Sequence, residues 1–152
     1  MAYEVHQNAN LTRAQMTMDR SIATAQILAD MANGGELIQI DVKIRAQDGF
    51  PRVLGWSRIL TAEEKRRYEF WMLLRLVELN NEWFQCAEKL MPEQVCQRDV
   101  RANMRTSLSR FYELGISFTR SEPSFIAAMQ EYAFELELPQ IGDDGAWQHQ
   151  LN

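Results

Sequence analysis

The sequence has few of the residues that most often build catalytic and metal sites. Its 152 residues include only two histidines and two cysteines, and the histidines, His6 and His149, lie at opposite ends of the chain. The sequence contains no zinc-site spacing, no glycine-rich phosphate loop and no Ser-His-Asp order. We therefore expect no metal and no cofactor, and the sequence gives no basis for assigning an enzymatic activity.

Long apolar runs and a basic surface are also missing. The chain has no stretch of about 18 apolar residues that could span a bilayer, and no secretory segment at its start. Its net charge of −5 argues against binding to nucleic acid, because affinity for a phosphate backbone needs a basic surface. With 46% hydrophobic and 24% charged residues, the composition is that of one soluble globular domain.

A long central helix is the clearest element. The motif Thr61-Ala62-Glu63-Glu64 is a capping box, in which Thr and the Glu three residues later satisfy free backbone N–H groups. It predicts a helix over residues 61–90. Two apolar rows at helical spacing follow, one running from Phe70 to Ala87 and the other from Met72 to Leu90. Two rows on different faces predict a helix that is buried on more than one side.

Other helices flank this one and complete an all-α, antiparallel bundle of four or five helices. The first is predicted over Tyr3–Ala32 and ended by Gly34-Gly35; another begins at Pro92, and the last begins near Pro123. We expect one helical domain over residues 1–138, followed by a loosely ordered acidic tail over 139–152.

Residues 37–45 allow two interpretations. Ile38, Ile40, Val42 and Ile44 alternate with polar residues, which is typical of a strand. Leu37, Ile40 and Ile44 also fit one face of a short helix, and no second alternating run offers a strand partner within the chain. We predict a helix, with an intermolecular strand as the alternative.

Candidate site residues lie on the central helix. Glu78 and Glu82 are four residues apart and so share a face, where paired carboxylates could bind a metal or act as acid and base. A metal site in a helical bundle would also require Glu-x-x-His motifs, which are absent, so surface or interface carboxylates are favoured. Trp71 or Trp83 would line a ligand pocket if one exists between this helix and the loop at Trp56.

The two cysteines flank the predicted hairpin turn at Met91. Cys86 and Cys96 are each five residues from it and could form a disulfide in an oxidising compartment. Free Cys behaves as a small hydrophobic residue, so the sequence favours two ordinary buried thiols.

Several short motifs resemble those of a bacterial family of uncharacterised proteins that have a single N-terminal membrane helix and a helical soluble domain. The resemblance covers most of residues 2–135, and Phe50–Ile59 departs from it as an insertion. The matching positions are Gln7-Asn8, Asn33–Leu37, Leu60–Glu64, Asn81–Gln85 and Leu90–Glu93. The resemblance implies a transmembrane helix directly before Ala2 in the full-length protein, on a membrane side that the sequence leaves open. It implies no chemistry.

These observations favour an interaction or adaptor module over an enzyme. The thin Ala/Met face of the first helix and the alternating run at 38–44 both look incomplete in a monomer, so we expect a homo-oligomer, and a further protein partner fits the same reasoning. The alternative is a small-molecule sensor. A carboxylate-dependent enzyme built on Glu78, Glu82 and Cys86 ranks last, because no nucleophile–base pair supports it.

Overall fold

The structure, a computed structural model of the chain, describes residues 35–148 together with the helical positions Gln15, Ile22 and Ala29. The predicted first helix, Tyr3–Ala32, lies outside the described residues apart from those three positions.

Four helices make up the described domain, and they confirm the all-α prediction. Helix α1 spans Glu36–Arg45, α2 spans Ala62–Ala87, and α4 spans Pro123–Glu135. Between them, α3 covers residues 93–113 as three continuous parts: a short α-helical start (Glu93–Val95), a π-helical turn (Cys96–Val100) and a longer α-helix (Arg101–Glu113). A 3₁₀ turn at Trp56–Ile59 precedes α2. Residues 35–148 form no strand, and a single bridge pairs Ile141 with Trp147.

Helix α1 resolves the ambiguity of residues 37–45 in favour of the helix. Leu37, Ile40 and Ile44 are buried on its inner face. Ile38 and Val42, which a half-buried strand would place on the same face as Ile40, are 59% and 58% exposed. The burial therefore follows the 3.6-residue period.

Helix α2 is the longest element and begins at the predicted capping box. The Glu64 backbone N–H donates to Thr61 Oγ1 at 3.2 Å, and the Thr61 N–H donates to Glu64 Oε2 at 2.9 Å. Its inner face buries Tyr68, Met72 and Leu79. The burial is one-sided within the described domain, which differs from the prediction that both apolar rows are covered.

The hairpin between α2 and α3 is closed by a disulfide between Cys86 and Cys96. The preference for two free thiols was therefore wrong. The Pro92 turn sets the two Cα atoms 5.7 Å apart, within the range that a disulfide spans.

The core lies where the four helices meet, and α1 contributes Leu37, Ile40 and Ile44 to it. Helix α3 contributes a buried face of Cys96, Val100, Met104, Leu108 and Phe111. Aromatic rings continue this core into the loop after α3, where Phe118 packs edge-on against three neighbours. Those neighbours are Phe111 at 5.6 Å, Phe125 at 6.1 Å and Trp147 at 5.6 Å between ring centroids.

Residues 139–148 pack onto this core, which differs from the loosely ordered tail that the acidic sequence predicts. Ile141 is 5% exposed, and Trp147 Nε1 donates to the Ile116 carbonyl at 2.8 Å. Gly145 accepts a hydrogen bond from the Phe118 N–H at 2.8 Å, and a Cβ added to it would lie 2.5 Å from the Phe118 carbonyl carbon. The apolar side chains decide the outcome, and Asp143 and Asp144 stay exposed. Residues 149–152 lie outside the described part.

None of the described helices is both long enough and apolar enough to cross a membrane.

Candidate functional site

The four predicted site residues all lie on α2, but they do not form one cluster. Trp71, Glu78 and Glu82 are separated by seven and four residues and share one face of the helix, whereas Trp83 is turned roughly 100° from Glu82. The four residues therefore lie in three separate environments: the glutamate pair, the groove at Trp83 and the aromatic cluster at Trp71.

Glu78 and Glu82 share Arg75 as their counter-charge. Arg75 Nη1 donates to Glu78 Oε2 and lies 3.8 Å from Glu82 Oε1, and all three side chains are about one-fifth exposed. Burial raises the pKa of Glu82, and the Glu78 charge adds to this, while Arg75 opposes it. Glu82 Oε2 is buried without a hydrogen-bond partner among the described residues.

A carboxyl group with a raised pKa can act as a proton donor, but the side chains around Glu82 form an ion-pair network with it. Arg75 pairs with both carboxylates, which is the geometry of a structural ion-pair network on one helix face. Within residues 35–148, no group of three or more His, Cys, Asp or Glu side chains could hold a metal ion. The arrangement is a partly buried ion-pair network on one face of α2.

Trp83 lies in a separate groove beside the disulfide. Its indole Nε1 donates to Ser124 Oγ at 3.0 Å, and its ring packs edge-on against Phe125. The Arg101 guanidinium lies 5.5 Å from the centre of the Trp83 ring, within cation–π range. The groove holds about 160 Å³ and is lined by Trp83, Arg101 and both cysteines. Pockets for small molecules usually hold about 300–1,000 Å³, so this groove is small for such a ligand.

Trp71 packs against Tyr68, which fills the space between α2 and the Trp56 loop. The ring centroids of Tyr68 and Trp71 are 5.2 Å apart, and the edge of Trp56 meets Tyr68 at 5.6 Å. Tyr68 and Trp56 are 0% and 1% exposed. The place where the sequence would put a ligand pocket is occupied by the protein's own aromatic side chains.

Sequence reasoning missed a partly buried charge cluster around Asp41. Tyr68 Oη donates to Asp41 Oδ1 at 2.9 Å, Arg110 Nη2 lies 3.2 Å from the same oxygen, and Arg45 Nε donates to Asp41 Oδ2 at 2.5 Å. Arg110 is only 3% exposed, and its guanidinium lies 4.9 Å from the centre of the Phe50 ring. These contacts tie α1, α2 and α3 to the loop that follows α1.

Burial dominates the electrostatics of this cluster. It lowers the pKa of Arg110, although Tyr68 and Asp41 both act to raise it. It also raises the pKa of Tyr68, with Asp41 adding to the shift and Arg110 opposing it. Arg110 Nε and Nη2 have no hydrogen-bond partner among the described residues, so the contact of Nη2 with Asp41 is an ion pair and not a hydrogen bond. The one sequence signal was the placement of Asp41 between Ile40 and Ile44, since a carboxylate beside the buried face of a helix requires a cation.

The outward face of α2 is an apolar row that the core of the described residues leaves uncovered. We define it as Phe70, Leu73, Val77 and Phe84, which lie opposite the buried Met72 and Leu79. Phe70, Leu73 and Val77 are 52%, 45% and 48% exposed.

A groove of about 630 Å³ lies beside this outward face, between α2 and the loop at residues 114–121. Leu76, Leu114 and Ile116 contribute apolar walls, and Asn80 and Arg120 contribute polar ones. An apolar helix face next to a wide groove is suited to receiving a protein element.

No protein-family model matches this chain, and no curated protein or solved structure is significantly similar to it.

Proposed function

We propose that this chain is a helical protein-interaction module that self-associates and that it is not an enzyme. The observation that carries the proposal is the outward face of α2, where Phe70, Leu73 and Val77 are each about half exposed at helical spacing. Scattered apolar residues are normal on a protein surface, but a continuous row beside a groove marks an interaction site.

The charged groups support a structural role. Arg75 pairs with Glu78 and Glu82 on one helix, and Asp41 and Arg110 join two helices in the interior. An active site needs titratable groups that converge on an accessible cavity. These groups converge on one another.

The alternative function, a small-molecule sensor, has less support. The expected pocket would lie at the Trp56 loop, where Trp56, Tyr68 and Trp71 pack together. The Trp83 groove is accessible but small. The interaction module therefore remains our proposal.

We further propose that the module is the soluble part of a membrane-anchored protein, with the transmembrane helix directly before Ala2. The support is the family resemblance of residues 2–135. The Cys86–Cys96 disulfide supports a position on the outer side of the membrane, because disulfides persist in oxidising compartments and are rare in the cytosol.

Self-association is tested by equilibrium sedimentation of the full chain and of two matched variants. Val77→Lys places a charge at the middle of the outward face, and Phe134→Lys places the same charge on α4, where Phe134 is 79% exposed. Both helices should fold normally by circular dichroism, since neither side chain is buried. We expect a wild-type oligomer that Val77→Lys dissociates and Phe134→Lys leaves intact. A wild-type chain that stays monomeric across the micromolar range contradicts the proposal.

The proposed membrane anchor and the proposed lack of enzymatic activity have separate tests. The native coding sequence upstream of Ala2 should encode one apolar segment of about 20 residues, and natural translation from Met1 would disprove the anchor. Glu82→Gln should leave any measured activity of the chain unchanged. Loss of a turnover in this variant, with the helical content intact, would establish an enzyme.

A further inference from the structure

We infer that the outward face of α2 binds the same face of a second copy, with the two helices antiparallel and Val77 on the two-fold axis. The inference rests on the proposed self-association and names its surface and register. Closed two-fold dimers use one patch twice, so the patch has to be complementary to itself. The residues of α2 meet this requirement in one register.

In an antiparallel pair centred on Val77, the numbers of two facing residues add up to 77 + 77 = 154. Phe70 then faces Phe84 of the second copy, because 70 + 84 = 154, and Val77 faces Val77. Leu73 lies between these contacts and faces Asn81 of the second copy, because 73 + 81 = 154. The apolar pairs of this register are therefore Phe70 with Phe84 and Val77 with Val77.

The same register pairs two charges that have no ion-pair partner among the described residues. Arg66 and Glu88 are both exposed, and 66 + 88 = 154. They lie 22 residues apart on one helix, a distance of about 33 Å, so they cannot meet within one copy. In the dimer, Arg66 of each copy faces Glu88 of the other, and the pair occurs twice. These opposite charges close the two ends of the apolar face and select the antiparallel orientation.

Other registers leave part of the face unmatched. An antiparallel pair centred between Leu73 and Leu74 would set Phe70 against Val77 but would place Arg66 opposite Asn81. It would also set Phe84 against Glu63, and it would leave Glu88 beyond the start of the facing helix. The register at Val77 uses α2 from Arg66 to Glu88, the residue that follows its last turn. The groove of about 630 Å³ runs along the same helix and gives room for side chains of the second copy.

Charge reversal tests the register in the full chain. Arg66→Glu and Glu88→Arg each place like charges opposite each other at two points of the dimer, so each should raise the dissociation constant about tenfold at low salt. The double variant restores opposite charges and should return to within about threefold of wild type. Arg58→Glu, at an exposed position on the 3₁₀ turn, is the matched control and should change nothing.

A cross-link tests the position of the axis. Val77→Cys brings two thiols together at the two-fold axis, and mild oxidation should give a covalent dimer. Phe134→Cys is accessible but lies on α4. This variant should run as a monomer in non-reducing electrophoresis at the same protein concentration.

Each other outcome overturns the inference in a recognisable way. A wild-type dimer that tolerates both charge reversals uses another surface, so the register fails while self-association stands. If Ile22→Lys dissociates the dimer and Val77→Lys does not, the contact includes Ile22, which is 62% exposed. A wild-type monomer removes the proposed self-association itself.

Discussion

Replacing Asp41 with asparagine should destabilise the fold by roughly 3–4 kcal/mol, because it leaves the Arg110 guanidinium buried without a counter-charge. Arg110 is 3% exposed, and its Nη2 lies 3.2 Å from Asp41 Oδ1. Asparagine keeps the volume of the side chain and can still accept the Tyr68 hydroxyl hydrogen bond. The variant therefore removes the charge and little else.

The magnitude follows from the burial of the two pairs that Asp41 makes. Breaking a buried pair by removing one partner costs about 3–5 kcal/mol. The second pair, with Arg45, is half exposed at the arginine and contributes about 0.2–1 kcal/mol. Because the Asp41 side chain keeps 16% exposure, we take the lower part of the combined range. At a urea dependence of about 2 kcal/mol per M, the midpoint of unfolding should fall by roughly 1.5–2 M.

The assay is urea unfolding followed by circular dichroism, arranged as a double-mutant cycle. Asp41→Asn and Arg110→Met are measured singly and together, and Arg45→Met serves as the exposed control, with an expected cost of less than about 1 kcal/mol. The double variant should lose at least about 1 kcal/mol less free energy of unfolding than the sum of the two single variants. The reason is that each single change leaves the other charge buried without a partner. Additivity within about 0.5 kcal/mol, or a cost of Asp41→Asn below about 1 kcal/mol, would refute the reasoning.

Three further predictions concern the rest of the domain. Replacing Cys86 and Cys96 together by serine should lower the free energy of unfolding by about 2.5–3 kcal/mol, because the loop of roughly ten residues is no longer closed in the unfolded chain. Urea unfolding with and without reductant measures this difference. The raised pKa of Glu82 means that the native state holds this proton more tightly than the unfolded chain does, so wild type should lose stability relative to Glu82→Gln as the pH rises above the ordinary value of 4.5. Urea midpoints of the two proteins at pH 4 and pH 7 test this, and a constant difference would contradict it. Thr61→Ala should cost about 0.5–2 kcal/mol by removing the cap that Glu64 completes, whereas Ser at the same position should restore most of it in thermal unfolding.

Local rules were enough to predict α1 and α2. The start of α2 depends on hydrogen bonds between Thr61 and Glu64, three residues apart, so it is readable from a short stretch of sequence. The helix at 36–45 follows from the spacing of Leu37, Ile40 and Ile44. Both depend on neighbours along the chain, and both predictions are confirmed.

The interior charges could not be predicted in the same way. Asp41 and Arg110 are 69 residues apart in sequence and meet only because α1 and α3 pack around Tyr68. Their pairing depends on tertiary geometry that no local pattern contains. The disulfide is a similar case, since the sequence placed Cys86 and Cys96 on either side of a hairpin turn but favoured two free thiols, which was wrong.

Burial was harder to predict than helix formation. The apolar row with Phe70 and Val77 is as regular as the row with Met72 and Leu79, yet only the second row faces the core. Periodicity identifies an apolar face but not the surface that covers it. Residues 139–148 show the converse, since two acidic residues suggested a solvated tail while Ile141 and Trp147 anchored the segment.

The π-helical turn at Cys96–Val100 has a consequence for the phase of α3. From Val100 to Phe111, steps of four, four and three residues keep the buried side chains within an arc of about 80° in an α-helix. Continuing the α-helix back by four residues to Cys96 would widen the arc to about 120° and place this residue at its edge. A π-helical turn hydrogen-bonds five residues along the chain and so takes up one extra residue. The turn therefore rotates Cys96 about the helix axis by less than the roughly 100° that one α-helical residue contributes. Cys96 stays on the side of α3 where Cys86 can reach it.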